Sequence, residues 1–153
     1  MQVKAELGQN TSQIEGLIFL PLTVEARFEL GDWKDVSEPL RDRIIDQLNK
    51  GNKHLLKSFI LCFPQPLWGK LVVFLTEKRI SVVLDEGRWG MLSISENRDV
   101  VGQCSFFIAF EEGRNENLKH EIEQNLLENA DYLRQHVAWR INEGKLIRIL
   151  AQG

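Results

Sequence analysis

Between residues 70 and 111, apolar and polar side chains alternate in four successive segments that are separated by short polar turns. Alternation with a period of two is typical of β-strands, and links this short join only antiparallel neighbours. The region therefore predicts an antiparallel β-meander with strands at residues 70–76, 79–85, 88–95 and 100–111.

Two more strands are predicted nearer the start of the chain. Val3, Ala5 and Leu7 suggest a short first strand, and the same alternation runs through residues 22–30. Because Pro21 has no N–H to donate to a neighbouring strand, this second strand should begin at Pro21 or lie at an edge of the sheet.

A helix is predicted after these strands. Ser37 is a suitable N-cap, Pro39 falls in the first turn, and Gly51 supplies the stop. The apolar face of this helix is formed by Leu40, Ile44 and Leu48. Residues 54–63 fit a helix or a buried strand, and their apolar ending before Pro64-Gln65-Pro66 favours a strand.

The clearest helical pattern lies in the last quarter of the chain. Apolar residues recur there at spacings of three or four over about 25 residues, which corresponds to about 37 Å of helix. This apolar stripe consists of Leu118, Ile122, Leu126, Ala130, Leu133, Val137 and Ile141. Gly144 should end the helix, and residues 146–150 read as a final strand.

These elements predict the α+β fold class. We expect an antiparallel β-meander sheet packed by a long C-terminal amphipathic helix and by a shorter helix in the N-terminal half. The chain has 153 residues, of which 43% are hydrophobic and 27% charged, and no low-complexity linker interrupts it. Residues 1–153 are therefore expected to form a single domain.

The meander has apolar side chains on both of its faces. One face must be the core, and the C-terminal helix is its natural cover. The opposite face is also more apolar than a solvated face should be. Two interpretations follow: the first 63 residues cover this second face, or it binds a partner. In the second case the partner-binding residues are Val72, Phe74, Val83, Trp89, Met91 and Phe107.

Charge and hydropathy argue against two classes of partner. The 19 basic and 22 acidic residues give a formal net charge of −3, with no basic cluster, so nucleic-acid binding is not expected. The longest apolar run, Phe59–Phe63, is far shorter than the roughly 20 residues that span a bilayer. No secretory signal core is recognised, and a cytoplasmic location is expected by elimination.

No catalytic constellation or cofactor motif is found. The chain lacks the glycine-rich phosphate-binding motifs and the nucleophile elbow. His120 and His136 would lie about 24 Å apart on one helix, too far to share a metal ion. Cys104 reads as a buried apolar residue, and the pair Glu111 and Glu112 is explained by the helix start that follows it. No cofactor and no metal are therefore expected.

The sequence favours a non-catalytic interaction or regulatory domain of the adaptor or chaperone type. It would bind another protein, or a second copy of itself as a homodimer, through the apolar second face. The alternative is a small-molecule-binding protein or small enzyme with a pocket between the sheet and the long helix. In that case Arg88, Glu111, Glu112 and His120 would converge on one cavity.

Overall fold

The computed structural model describes residues 1–9, 12–84, 90–113 and 117–152, and its strands form one antiparallel sheet. Three of the four alternating segments predicted between residues 70 and 111 contribute strands to it, and the first does not. Helices pack against this sheet, so the α+β fold class is confirmed. The strands are β1 (Gln2–Leu7), β2 (Ser12–Ile14), β3 (Leu17–Phe28), β4 (Ser81–Leu84), β5 (Met91–Ile94) and β6 (Val100–Glu111). The helices are α1 (Glu38–Asn49), α2 (Lys53–Cys62), α3 (Pro64–Glu77), α4 (Leu118–Glu128), α5 (Ala130–Asn142) and α6 (Lys145–Gln152).

The centre of the sheet is the pairing of β3 with β6. The two strands are 12 residues long and pair along their whole length, from Leu17 opposite Glu111 to Phe28 opposite Val100. Even-numbered residues of both strands point to one side, which we call the inner face, and odd-numbered residues point to the outer face. The inner face of β3 is buried at Leu20, Leu22, Val24, Ala26 and Phe28.

The outer lanes of the sheet are each made of two short strands. β1 and β2 both pair with β3, and β4 and β5 both pair with β6. Leu84 lies opposite Phe106 and Met91 lies opposite Gln103, so β4 and β5 pair with two separate parts of β6. The sheet therefore departs from a regular meander, because β4 and β5 share one neighbour instead of pairing with each other.

Pro21 lies inside the central strand β3, and the expectation that it begins a strand or marks a sheet edge is wrong. The Pro21 carbonyl accepts a hydrogen bond of 2.8 Å from the N–H of Gly8. The nitrogen of a strand residue points to the same side as its carbonyl, so the missing N–H of Pro21 faces the gap between β1 and β2. A side chain at Gly8 would meet the Pro21 ring, since an added Cβ would lie 2.3 Å from Pro21 Cγ.

The segment 70–76, predicted as a strand, belongs to helix α3, and the segment 54–63, for which a strand was favoured over a helix, forms most of helix α2. Their buried side chains follow one another at a spacing of four residues, which is helical: Leu55, Phe59, Phe63, Leu67, Leu71 and Leu75. A spacing of four is also a multiple of two, so the same residues satisfy the alternation of a strand. Pro64 is the first residue of α3, where a missing N–H costs nothing, rather than the end of a strand.

The predicted long C-terminal helix is divided into α4 and α5 at Asn129. The side-chain amide of Asn129 donates a hydrogen bond of 2.9 Å to the Asn125 carbonyl. Short polar side chains that bond to nearby backbone in this way interrupt helices. All seven residues of the predicted apolar stripe are nevertheless buried. The last segment, predicted as a strand at 146–150, is helix α6, in which Leu146 and Leu150 are buried one turn apart.

The described helices pack on the inner face. The core cluster joins the buried helix residues to the even-numbered residues of β3 and β6. Gly102 of β6 allows the junction of α2 and α3 to approach closely, because a Cβ there would lie 3.1 Å from both Phe63 and Pro64. Helix α4 lies against β1, where Glu123 Oε2 accepts a hydrogen bond of 3.1 Å from the N–H of Ala5.

Candidate interaction surfaces

The outer face of the sheet carries a contiguous apolar area at one end. Phe107 of β6 lies directly opposite Pro21 of β3 and directly opposite Val83 of β4. The neighbouring rows add apolar residues from β2 and β3. Together they form what we call the outer patch, which consists of Ile14, Leu17, Phe19, Pro21, Val83 and Phe107.

Four side chains of the outer patch are well exposed. Ile14 keeps 57% of its surface accessible, Val83 keeps 56%, Phe107 keeps 43% and Leu17 keeps 38%. Single exposed apolar residues are normal on protein surfaces, whereas contiguous ones mark interaction sites. The cross-strand register makes these residues contiguous, and this arrangement distinguishes them from scattered exposed residues.

The other end of the outer face is polar, and several of its charges are paired. Glu25 accepts a hydrogen bond of 3.1 Å from Gln103 and forms an ion pair of 3.7 Å with Lys4. Arg27 pairs with Asp99 at 3.4 Å. This half of the face therefore has the composition of a solvated sheet surface.

Acidic residues border the apolar end. Glu111 lies opposite Leu17 at the end of the pairing between β3 and β6. Glu15, just before β3, and Glu112, just after β6, are both exposed. Gln13 donates a hydrogen bond of 3.0 Å to Glu112 Oε2. The outer patch is thus apolar with an acidic border at the end formed by the β2–β3 turn.

The structure brings together two of the six predicted partner-binding residues, Val83 and Phe107. Met91 is on the same face, 53% exposed, but it lies opposite Gln103 in the polar half. Val72 and Phe74 are not on the sheet: both are half-buried on α3, which was wrongly predicted as a strand. Trp89 lies outside the described residues.

The interpretation in which residues 1–63 cover the second face is not what the described residues show. Residues 1–9 and 12–28 contribute β1, β2 and β3 to the sheet itself. The buried residues of α1 and α2 belong to the same core cluster as the inner face. The strands of this part of the chain therefore widen the sheet, and its helices α1 and α2 pack on the inner face.

A groove on the helix side is a second candidate surface. It runs between α3 on one side and the junction of α4 and α5 on the other, with a volume of about 530 Å³. The described residues that line it are Pro66, Gly69, Lys70, Val73, Phe74, Glu77, Asn125, Asn129 and Tyr132. The ammonium group of Lys70 lies 4.2 Å from the centre of the Tyr132 ring, within the range of a cation–π interaction.

Three titratable groups among the described residues have clearly shifted pKa values: Cys62, Cys104 and His136. Burial raises the pKa of Cys62 to about 12 and raises the pKa of Cys104, so both thiols stay protonated and poorly nucleophilic. Burial, with a contribution from Arg140, lowers the pKa of His136, whose ring stacks on Tyr132. Among the described residues, no group of three or more His, Cys, Asp or Glu side chains could hold a metal ion.

Sequence reasoning missed the contribution of β2 and β3 to the outer patch. The alternation of β3 was read from residue 22, although Leu17, Phe19 and Pro21 continue it with apolar residues at odd positions. These odd positions are apolar only before residue 22, where polar ones take over at Thr23, Glu25 and Arg27. The change within one strand was the available signal that one end of the outer face differs from the other.

Comparison with known proteins gives no relative. No family model, no curated protein and no solved structure matches this chain. One described helical stretch, Lys53–Glu77, is apolar and long enough to cross a membrane by these two criteria alone. It comprises α2 and α3, and 44% of its most apolar window is buried inside the fold.

Proposed function

We propose that this protein is a non-catalytic interaction domain that binds a partner protein through the outer patch. The observation that carries the proposal is the row formed by Pro21, Phe107 and Val83, which joins three strands of an exposed sheet face. Apolar area of this kind is costly to leave in water and is typical of a surface that a partner covers.

The acidic border specifies the chemistry of that partner. Glu15, Glu111 and Glu112 are exposed at one end of the outer patch, whereas Lys4, Glu25 and Arg27 in the polar half of the face are already paired. A complementary surface would be apolar, with Lys or Arg placed toward the acidic end. The same border and the net charge of −3 disfavour a polyanion such as nucleic acid.

The two buried thiols bear on where the protein works. Cys62 and Cys104 are both buried thiols that form no disulfide bond. Cysteines without disulfide bonds are typical of proteins in a reducing compartment. A cytoplasmic interaction domain without a cofactor is the proposal that fits these features, and the alternative of a small-molecule pocket stays a prediction. Of the residues which that alternative needs, Glu111, Glu112 and His120 are exposed, and Arg88 lies outside the described residues.

The test is affinity capture from a lysate of the source cells with the wild-type protein and two matched variants. Val83→Asp places a charge in the outer patch, and Ser93→Asp places the same charge on the same face in the polar half. We expect one partner to be retained by wild type and by Ser93→Asp, and lost with Val83→Asp. Circular dichroism should establish that both variants fold.

A second pair of substitutions tests the acidic border without touching the apolar side chains. The double variant Glu111→Lys/Glu112→Lys should weaken the captured partner's binding, with a larger effect at low salt. Retention of every partner by Val83→Asp, in its folded form, would contradict the proposal. So would a partner whose binding surface proved to be acidic.

A further inference from the structure

Helix α3 carries an exposed ridge on the side that faces away from the core. Leu67, Leu71 and Leu75 are buried on one side of the helix. The opposite side presents residues at spacings of three and four that are exposed or half-buried, and Val73, at 57%, is a large apolar residue open to solvent. The ridge consists of Pro66, Gly69, Lys70, Val73 and Glu77.

Gly69 leaves a gap in the surface of this ridge that no described part of the chain fills. Glycine weakens a helix interior relative to alanine. A Cβ at Gly69 would meet nothing within 4 Å, so no described part of this chain requires the glycine. The groove beside the ridge also contains Asn125, whose buried Oδ1 has no hydrogen-bond donor among the described residues.

The charges of the ridge are arranged to complement a second copy of themselves. Lys70 and Glu77 have opposite signs, lie seven residues apart, and stand on either side of Val73. Seven residues are about two turns of helix, so both side chains point to the same side. A two-fold axis passing close to Val73 would place Lys70 of one copy opposite Glu77 of the other, and the reverse.

We propose that this protein forms a homodimer in which α3 packs antiparallel against α3 of a second copy. The ridge of each copy enters the groove between α3 and α5 of the other, with Val73 at the centre and Gly69 allowing close approach. Two reciprocal ion pairs, each between Lys70 and Glu77, flank the centre. Neither residue has an ion pair within its own chain in the parts that the structure describes.

This dimer is independent of the outer patch. The ridge belongs to the helix layer on the inner side of the sheet, and the outer patch is on the opposite side. Both outer patches stay accessible in the dimer. Failure of the dimer proposal would leave the proposed partner binding untouched, and the reverse is also true.

The test is a charge-exchange series measured by sedimentation equilibrium, from micromolar to millimolar protein. We expect wild type to dimerise reversibly. Lys70→Glu and Glu77→Lys should each raise the dissociation constant by about tenfold, since each turns two attractive contacts into two repulsive ones. The double variant Lys70→Glu/Glu77→Lys should recover most of the wild-type affinity, because the reversed pairs are again complementary.

Lys57→Glu on α2 is the matched control. It makes the same change of net charge at an exposed helical position away from the ridge, and it should leave the dissociation constant unchanged. The variant Lys70→Glu and the double variant both lose the contact between Lys70 and Tyr132. Recovery in the double variant would therefore be due to the ion pairs and not to that contact.

Three results would overturn the dimer. Wild type could remain monomeric at every concentration, which would exclude self-association through any surface. A dimer could form that none of the ridge variants weakens, which would place its interface elsewhere. The single variants could weaken the dimer with no recovery in the double variant, which would exclude the antiparallel pairing of Lys70 with Glu77.

Discussion

The two faces of the sheet are built from the same strands and differ in what lies on them. On the inner face, Phe106 and Ile108 of β6 are almost completely buried beneath the helices. On the outer face of the same strand, Phe107 keeps 43% of its surface exposed. Alternation assigns side chains to faces, but the covering of each face depends on helices that come from other parts of the chain.

The largest expected effect separates two adjacent phenylalanines. Phe106→Ala should lower the free energy of unfolding by about 3–5 kcal/mol, because it leaves a cavity in the core. Phe107→Ala should lower it by about 1 kcal/mol or less, because the side chain is already half in water and loses mainly cross-strand contacts. Urea unfolding of both variants provides the measurement. Equal losses would mean that the outer face is also covered.

A similar contrast is expected at the next adjacent pair along β6. Gly102→Val should lower the free energy of unfolding by about 1–3 kcal/mol, because the added groups meet Phe63 and Pro64 where the helices touch the inner face. Gln103→Val is the control, since it places the same branched side chain on the exposed side of the same strand and removes only a solvent-exposed hydrogen bond to Glu25. Thermal unfolding compares the two, and a neutral Gly102→Val would show that the junction of α2 and α3 can move aside.

The period-two pattern predicted the strands within residues 79–111 correctly, but it also assigned the helical residues 70–76 to a strand. β6 was predicted with its observed bounds, because polar residues occupy one parity over part of its length and turn residues flank it. The strand prediction for residues 70–76 was wrong because the run is continuously apolar from Leu71 to Leu75. Such a run fits the period of a strand and the period of a helix equally well. Tertiary packing on the inner face, rather than local pattern, decides that this run is helical.

The candidate site was predictable only in part for the same reason. Val83 and Phe107 were placed on the outer face because their strands were predicted correctly. Val72 and Phe74 were misplaced with α3, although Phe74 then proved to line the groove beside the ridge. The contributions of Ile14 and Leu17 depend on the register of β2 and β3, which no local pattern specifies.

The pH dependence of stability tests whether water reaches the core on the inner side of the sheet. Burial raises the pKa of Cys62 from 9.0 to about 12, so the folded protein keeps its thiol proton over a range in which the unfolded chain loses it. The contribution of the protonated Cys62 thiol to the free energy of unfolding is therefore complete below pH 9 and is lost as the pH rises toward 12.

The measurement is the free energy of unfolding of wild type and Cys62→Ala across that range. Wild type should lose stability more steeply than Cys62→Ala, by up to about 1.4 kcal/mol per pH unit. Parallel curves would show that water reaches the thiol in the native state. The comparison with Cys62→Ala is needed because other groups titrate in the same range.

The smallest effect is expected in the polar half of the outer face. Lys4 and Glu25 lie 3.7 Å apart, and Lys4 is 60% exposed, so solvent screens their attraction. A double-mutant cycle with Lys4→Ala and Glu25→Ala should give a coupling energy of about 0.2–1 kcal/mol that disappears in high salt. The cycle removes the separate loss of the hydrogen bond from Gln103 to Glu25. A larger, salt-insensitive coupling would mean that this half is shielded from water, and the contrast between a solvated polar half and an interaction-prone apolar half would no longer hold.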